Sequence, residues 1–273
     1  MDDSVLAIYC LCDDLLRALH HPEDPQRLMS DAEVMTTAIV AALYFGGNFE
    51  RARSLLAAPH YVPHMLSKSQ FNRRLHALRD LLLLVFRVLG ETFKQLNAAS
   101  LYILDSFPVA ACDNIRIKRD KRFRNEKFRG YTASKRRYFY GVKIFLLTAA
   151  KGEPVEMFLV PGATADVVAL EVFDFDLPSQ SIVYGDSAFT LYAVEDLLSE
   201  ACGIDLSPMR KKNSKRPASA SLAYLQAVGR KQVETAGSLI ERLLPKSLHA
   251  VTAKGFTLKV FLFVLAYSVS CAL

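Results

Sequence analysis

The chain has 273 residues, 51% of them hydrophobic, with 34 Lys and Arg against 28 Asp and Glu. That balance excludes an intrinsically disordered chain and supplies apolar matter for one large core or two modest ones. The excess positive charge is confined to one part: residues 1–100 hold 10 basic against 11 acidic side chains, residues 101–273 hold 24 against 17, and a basic second part favours polyanions such as nucleic acid.

The opening residues place Asp2 and Asp3 where a secretory signal carries Lys or Arg, so a cytoplasmic location without export is expected. Cys10, Cys12, Cys112, Cys202 and Cys271 are odd in number and scattered, which argues against a zinc knuckle or a disulfide framework. From Asp2 to Ala98 apolar residues recur at helical spacing, as in DAEVMTTAIVAALYF, and Gly46-Gly47 supplies a stop. Ser30 with Glu33, and Ser67 with Gln70, have capping-box spacing and mark two helix starts.

Arg51 to Arg79 contains six basic residues and no acid. The helix after Ser67 would expose Ser69, Gln70, Asn72, Arg73 and His76, with Arg74 beside them. Such a helix suits a major groove as the second helix of a helix-turn-helix, and it equally suits the polar face of a small bundle. Residues 1–98 are therefore expected to form an all-helical domain. Two apolar runs, Leu81–Val88 and Val260–Leu273, are too short or too interrupted to span a bilayer, and both are expected to be buried helix without membrane contact.

After Ala98 short apolar runs alternate with turns: LYIL, YFYGVKIFLLTA, VEMFLV and SIVY, with Lys151 to Pro154 as a hairpin connection and GIDLSP as a fifth strand. Helical patterns cover Asp166–Phe173, Leu191–Ala201 and about 220–244, and an apolar helix closes the chain. Asp105 ends LYIL and Asp186 follows SIVYG, each where a strand leaves the core and each followed by Ser. A carboxylate there is fixed to a rigid element yet faces a cleft, which suits Mg²⁺ or Mn²⁺; an Asp at that point is equally a common turn or cap residue. Two such ions can activate an attacking oxygen and stabilise the leaving oxygen of a phosphodiester. A third ligand is expected from the helix GRKQVETAGSLIERLL, where Glu234 and Glu241 share a face with Arg230.

Asp105 in LYILDSFPV, Asp186 in IVYGDSAF and Glu234 in RKQVETAGSLIERL resemble the three signature blocks of bacterial insertion-sequence transposases with an Asp-Asp-Glu triad. The resemblance covers nearly the whole chain and is nearest to insertion-sequence family nine-eight-two. It implies a ribonuclease-H-like mixed five-stranded sheet flanked by helices over residues 99–273, with three antiparallel strands first. It implies that Asp105, Asp186 and Glu234 hold two metal ions. It also implies cleavage and strand transfer at double-stranded element ends and target DNA, by a homodimer. Two positions depart from the family pattern: Ala227 stands where a Tyr is usual and Glu241 where a Lys is usual, with Arg242 a substitute for that Lys and Glu241 a rival to Glu234.

Arg116 to Lys143 holds twelve basic residues against two acids, interleaved with Phe123, Phe128, Tyr131, Tyr138, Phe139 and Tyr140. Arg116, Lys118, Arg119, Arg122, Arg124, Lys135, Arg136, Arg137 and Lys143 are candidates for contact with phosphates, and the aromatics for stacking on unpaired bases. A second cluster, 210–216, adds Arg210, Lys211 and Lys212, and the Glu234 helix adds Arg230 and Lys231. Two further functions fit the same residues: a nuclease of this fold that does not join ends, and a DNA-binding protein whose triad has lost catalysis.

Overall fold

The computed structural model describes residues 2–113, 120, 122–123, 125–132, 136–245 and 248–273; within the long helix 220–243 the side chains of 229–234 and 236 lie outside the described set. The chain forms two compact units, one from residues 1–89 and 240–273, the other from residues 90–239.

The first unit is helical: α1 Asp2–Ala18, α2 Asp31–Phe45, α3 Phe49–Leu56, α4 Lys68–Ala77, α5 Arg79–Leu96 up to Leu89, and the closing helix α9 Ala253–Ala272. Helix α2 is apolar on nearly every side and lies among α1, α3, α4 and α9. Its start is fixed by the expected capping box, Ser30 with Glu33, and its end by Gly46 in the left-handed region. The Ser67–Gln70 box starts α4 in the same way. Helix α9 is long and apolar enough to cross a membrane, a test that core helices also pass. Here Phe256, Val260 and the run 262–269 are buried, and α9 lies against α2.

The second unit holds a mixed sheet of β1 Leu101–Asp113, β2 Arg129–Thr132, β3 Arg137–Ala149, β4 Pro154–Pro161, β5 Ile182–Gly185 and β6 Asp205–Pro208. Helices α6 Asp166–Leu170, α7 Tyr192–Cys202 and, up to Leu239, α8 Ala220–Leu243 accompany it. The order is β4-β3-β1-β5-β6, with β1, β3 and β4 antiparallel and β5 and β6 parallel to β1. These are the five expected strands in a ribonuclease-H-like arrangement. The sixth, β2, pairs with Arg137–Tyr140 of β3, beside the stretch that pairs with β4. It escapes a hydrophobic pattern because its four residues, RGYT, contain no aliphatic side chain.

Each sheet face has its own core. On one, Phe145, Phe158, Phe173, Phe175 and Phe189 form a chain of ring contacts. On the other, Ile103 of β1 and Tyr184 of β5 pack with Leu222 of α8.

Candidate functional site

Strands β1 and β5 run parallel with Leu101–Leu104 in register with Ile182–Gly185, so Asp105 and Asp186 are the next residues on neighbouring strands. Parallel neighbours lie about 4.8 Å apart, so the two aspartates leave the backbone side by side. Asp105 Oδ1 accepts the Ser106 N–H at 2.8 Å, and Asp186 Oδ1 accepts the Ala188 N–H at 2.7 Å. Each carboxylate is thus fixed by backbone as well as by its strand. Both side chains line a small cleft with Ile103, Tyr184 and Gln226.

The two strands end differently. After Gly185 the chain turns at once, with Asp186 capping the 3₁₀ turn Ser187–Phe189. Gly185 permits this: a Cβ there would lie 3.0 Å from the ring of Phe189, which is buried and seats the turn against the sheet. Strand β1 does not end at Asp105. It continues to Asp113 with β3 as its partner among the described residues. The expectation that the strand leaves the core at Asp105 therefore holds on the β5 side alone. Pro108, which has no N–H to give a ladder, falls in this one-sided stretch.

Helix α8 covers the face that carries Asp105. Gln226, buried on α8, donates from Nε2 to Ser207 O at 2.9 Å and to Ser207 Oγ at 3.2 Å. Further along, a Cβ on Gly237 would lie 3.8 Å from Phe107, the residue two beyond Asp105 on the same face of β1. Glu234 occupies a position on α8 between these two contacts. Its side chain, with those of Arg230 and Lys231, lies outside the described residues; Glu241 is exposed. The sequence reading missed Gln226, whose only signal was its place eight residues before Glu234 on one helix.

The basic candidates fall into two sorts. Some guanidiniums are held inside the protein. Arg74 bonds Met29 O and the buried Asp31. Arg122 bonds Asp120 and Ala111 O. Arg210 makes a bidentate pair with buried Glu195, at 2.8 and 2.7 Å. Lys143 lies on the opposite sheet face from Asp105, since it pairs with Pro108, and its Nζ bonds Asp166 Oδ1 at 3.1 Å and Thr164 O at 2.9 Å. Others face solvent: Arg73 on α4, Arg136 just before β3 and Arg137 at its first position, and Lys211 and Lys212 after β6. Arg116, Lys118, Arg119, Arg124 and Lys135 lie outside the described residues.

The 210–216 segment is a stapled loop. Met209 N donates to Gly185 O at 2.9 Å, so the loop starts beside the residue that precedes Asp186. Arg210 holds Glu195 at one end; at the other, Arg216 pairs with Asp196 at 2.6 and 2.8 Å. Both guanidiniums lie over the Tyr192 ring, at 5.4 and 4.7 Å, and the Tyr192 hydroxyl bonds Ser214 Oγ at 2.9 Å. That hydrogen bond, together with the backbone and positive charge around it, lowers the Tyr192 pKa. Lys211, Lys212 and Lys215 are left exposed between the two staples.

A second group of donors belongs to the helical unit. Ligand atoms of His21, Glu23 and Asp31 lie within 4.8 Å of one another and could hold an ion by geometry. The charges oppose it: Asp31 already pairs with Arg27 at 2.8 Å, with Arg74, and with His21 at 2.9 Å. Burial pushes the Asp31 pKa up, but the hydrogen bonds and charges of Arg74, His21 and Arg27 outweigh it and leave the carboxyl below its ordinary value.

The connection from α3 to α4 runs from Ala57 to Ser67, longer than the roughly 3–4-residue turn of a helix-turn-helix. Compared with known proteins, residues 95–243 match the family model described as "Transposase DDE domain". No curated protein and no solved structure matches the chain.

Proposed function

Because this chain belongs to the DDE-domain transposases, we propose that Asp105, Asp186 and Glu234 hold two divalent ions, Mg²⁺ or Mn²⁺, and catalyse cleavage and transfer of DNA strands. The observation that carries the reading is the register of β1 with β5, which sets two carboxylates side by side at a cleft. The donor set fits the ions: hard carboxylate oxygens on a rigid sheet edge, with α8 running past. Bound ions supply activation of the attacking oxygen and stabilisation of the leaving oxygen.

The protein's own part is positional. The Ser106 and Ala188 amides hold the two aspartates in one orientation each, so the carboxylates need little rearrangement on binding. Lys211, Lys212 and Lys215, on a loop that leaves the sheet beside Gly185, grip phosphates next to the cleft. Arg210 acts there through Glu195 as a positioning residue. Exposed Arg73 on α4 gives residues 1–98 a role in recognising double-stranded element ends, while residues 99–273 carry the chemistry. Pairing two ends calls for a homodimer, acting in the cytoplasm where its DNA lies.

The test is Mg²⁺-dependent cleavage of a DNA carrying the element's ends, followed by joining of pre-cut ends to a target plasmid. Wild type is expected to do both; Asp105→Ala and Asp186→Ala are expected to do neither while remaining folded. Cutting by either purified variant would sink the assignment. Cutting without joining would make the chain a nuclease, and binding without a product would make it a DNA-binding protein.

A further inference from the structure

We propose that Tyr131 and Tyr138 form a stacking platform for unpaired DNA bases, on the Asp105 face of the sheet and about 27 Å from that residue along the strands. The inference rests on the DNA-binding part of the reading above. Tyr131 of β2 and Tyr138 of β3 are directly opposed in the ladder, with ring centroids 5.0 Å apart. Both are substantially exposed, at 51% and 45%. The guanidinium of Arg129 lies 4.7 Å over the Tyr138 ring, and Arg136 and Arg137 are exposed beside it. A cross-strand tyrosine pair can serve a hairpin alone. Here the hairpin is already held from its other face, where Phe139 is buried and Gly130 leaves no room for a Cβ, which would lie 2.4 Å from both the Phe139 ring and Gly162 O.

Register gives the platform its place. Asp105 is opposite Leu146 of β3, and side chains alternate along that strand, so Leu146, Ile144, Val142, Tyr140 and Tyr138 share the face of Asp105. Eight residues of β3 separate Leu146 from Tyr138, a span of about 27 Å that corresponds to about eight steps of stacked B-form DNA. Two exposed rings, one capped by a guanidinium and flanked by arginines, offer faces for bases and charge for the intervening phosphates. That combination suits a single strand better than a duplex, whose bases are already stacked.

The experiment measures binding of the full chain, in chelator, to a fluorescently labelled mixed-sequence 30-nucleotide single strand and to the matching duplex. Tyr131→Ala/Tyr138→Ala is expected to weaken single-strand binding by about tenfold to a hundredfold. Duplex binding is expected to change by less than about threefold, and the salt dependence of both by little, since no phosphate contact is removed. Tyr131→Phe/Tyr138→Phe keeps the rings and is expected to bind as wild type. Unchanged single-strand affinity in the Ala variant overturns the platform, as does an equal loss on both DNAs, or a changed sedimentation behaviour with DNA binding intact, which would mark a contact between copies. Wild type that binds neither DNA overturns this inference together with the DNA-binding reading. Ring-dependent binding without any Mg²⁺-dependent product upholds the platform and removes only the catalytic reading.

Discussion

Asp31 in the helical unit and the Asp105–Asp186 pair in the sheet unit place carboxylates in different surroundings. Asp31 is almost wholly buried and meets cationic partners from the α1–α2 connection and from α4, so its charge is cancelled within the fold. Asp105 and Asp186 are drawn together by strand register and stay half-buried at a cleft, with backbone N–H groups orienting them. Both places can be described as a small group of metal-type donors. Counting ligands does not separate them; Asp31 is buried among guanidiniums, whereas the two aspartates line a cleft.

The largest expected difference is in activity. On the proposed reading Asp105→Ala or Asp186→Ala should lower cleavage by roughly three orders of magnitude or more, since several kcal/mol of transition-state stabilisation go with the ions, while the lost backbone hydrogen bond costs no more than about 2 kcal/mol of stability. Asp31→Asn should do the reverse. It breaks a buried ion network and should cost about 3–5 kcal/mol of stability, read from chemical denaturation of the helical unit.

The Asp31 effect also has a pH signature. Its folded pKa lies below the unfolded value of about 3.9. The stabilisation is therefore complete above that unfolded value and is lost as pH falls through the folded one. Denaturation of Asp31→Asn should be flatter than that of wild type across this acid window. Equal slopes in the two proteins would show that the guanidiniums do not hold Asp31 as described.

Smaller effects sharpen the contrast. Adding Mg²⁺ at about ten times its dissociation constant should raise stability by about 1.4 kcal/mol through the sheet site. Asp105→Asn/Asp186→Asn should lose that gain and Asp31→Asn should keep it; the opposite pattern would move the metal to the His21–Glu23–Asp31 group. Least of all, Lys211→Ala/Lys212→Ala/Lys215→Ala should leave stability unchanged and reduce the slope of log affinity for duplex DNA against log salt by about 2.7.

What the sequence disclosed follows the range of each interaction. The two capping boxes span three residues and are legible, as are five strands in chain order and the place of Asp186 at the end of β5, because apolar runs bounded by turns mark them. The reach of β1 through Asp105 to Asp113 was hidden, since Asp, Ser and Pro interrupt the apolar pattern that a ladder with β3 tolerates. Arg74 and Arg210 looked like phosphate ligands because a basic run carries no mark of where each guanidinium turns. Their partners, Asp31 and Glu195, are 43 and 15 residues away in the chain. The packing of α9 against α2 has the same origin, since both helices are apolar all round and periodicity names no partner.

The stretch of β1 beyond Asp105 has a consequence for the protein before it meets DNA. Among the described residues no strand pairs with this stretch opposite β3, and a strand edge of that kind is a template on which another chain's strand can grow. Pro108 removes one N–H from the exposed edge, and the ladder slips at Ala110/Cys112, which breaks its regularity. Replacing Pro108 with valine would restore that one N–H to the edge, and the expected outcome, read by sedimentation, is a greater tendency of copies of the chain to associate.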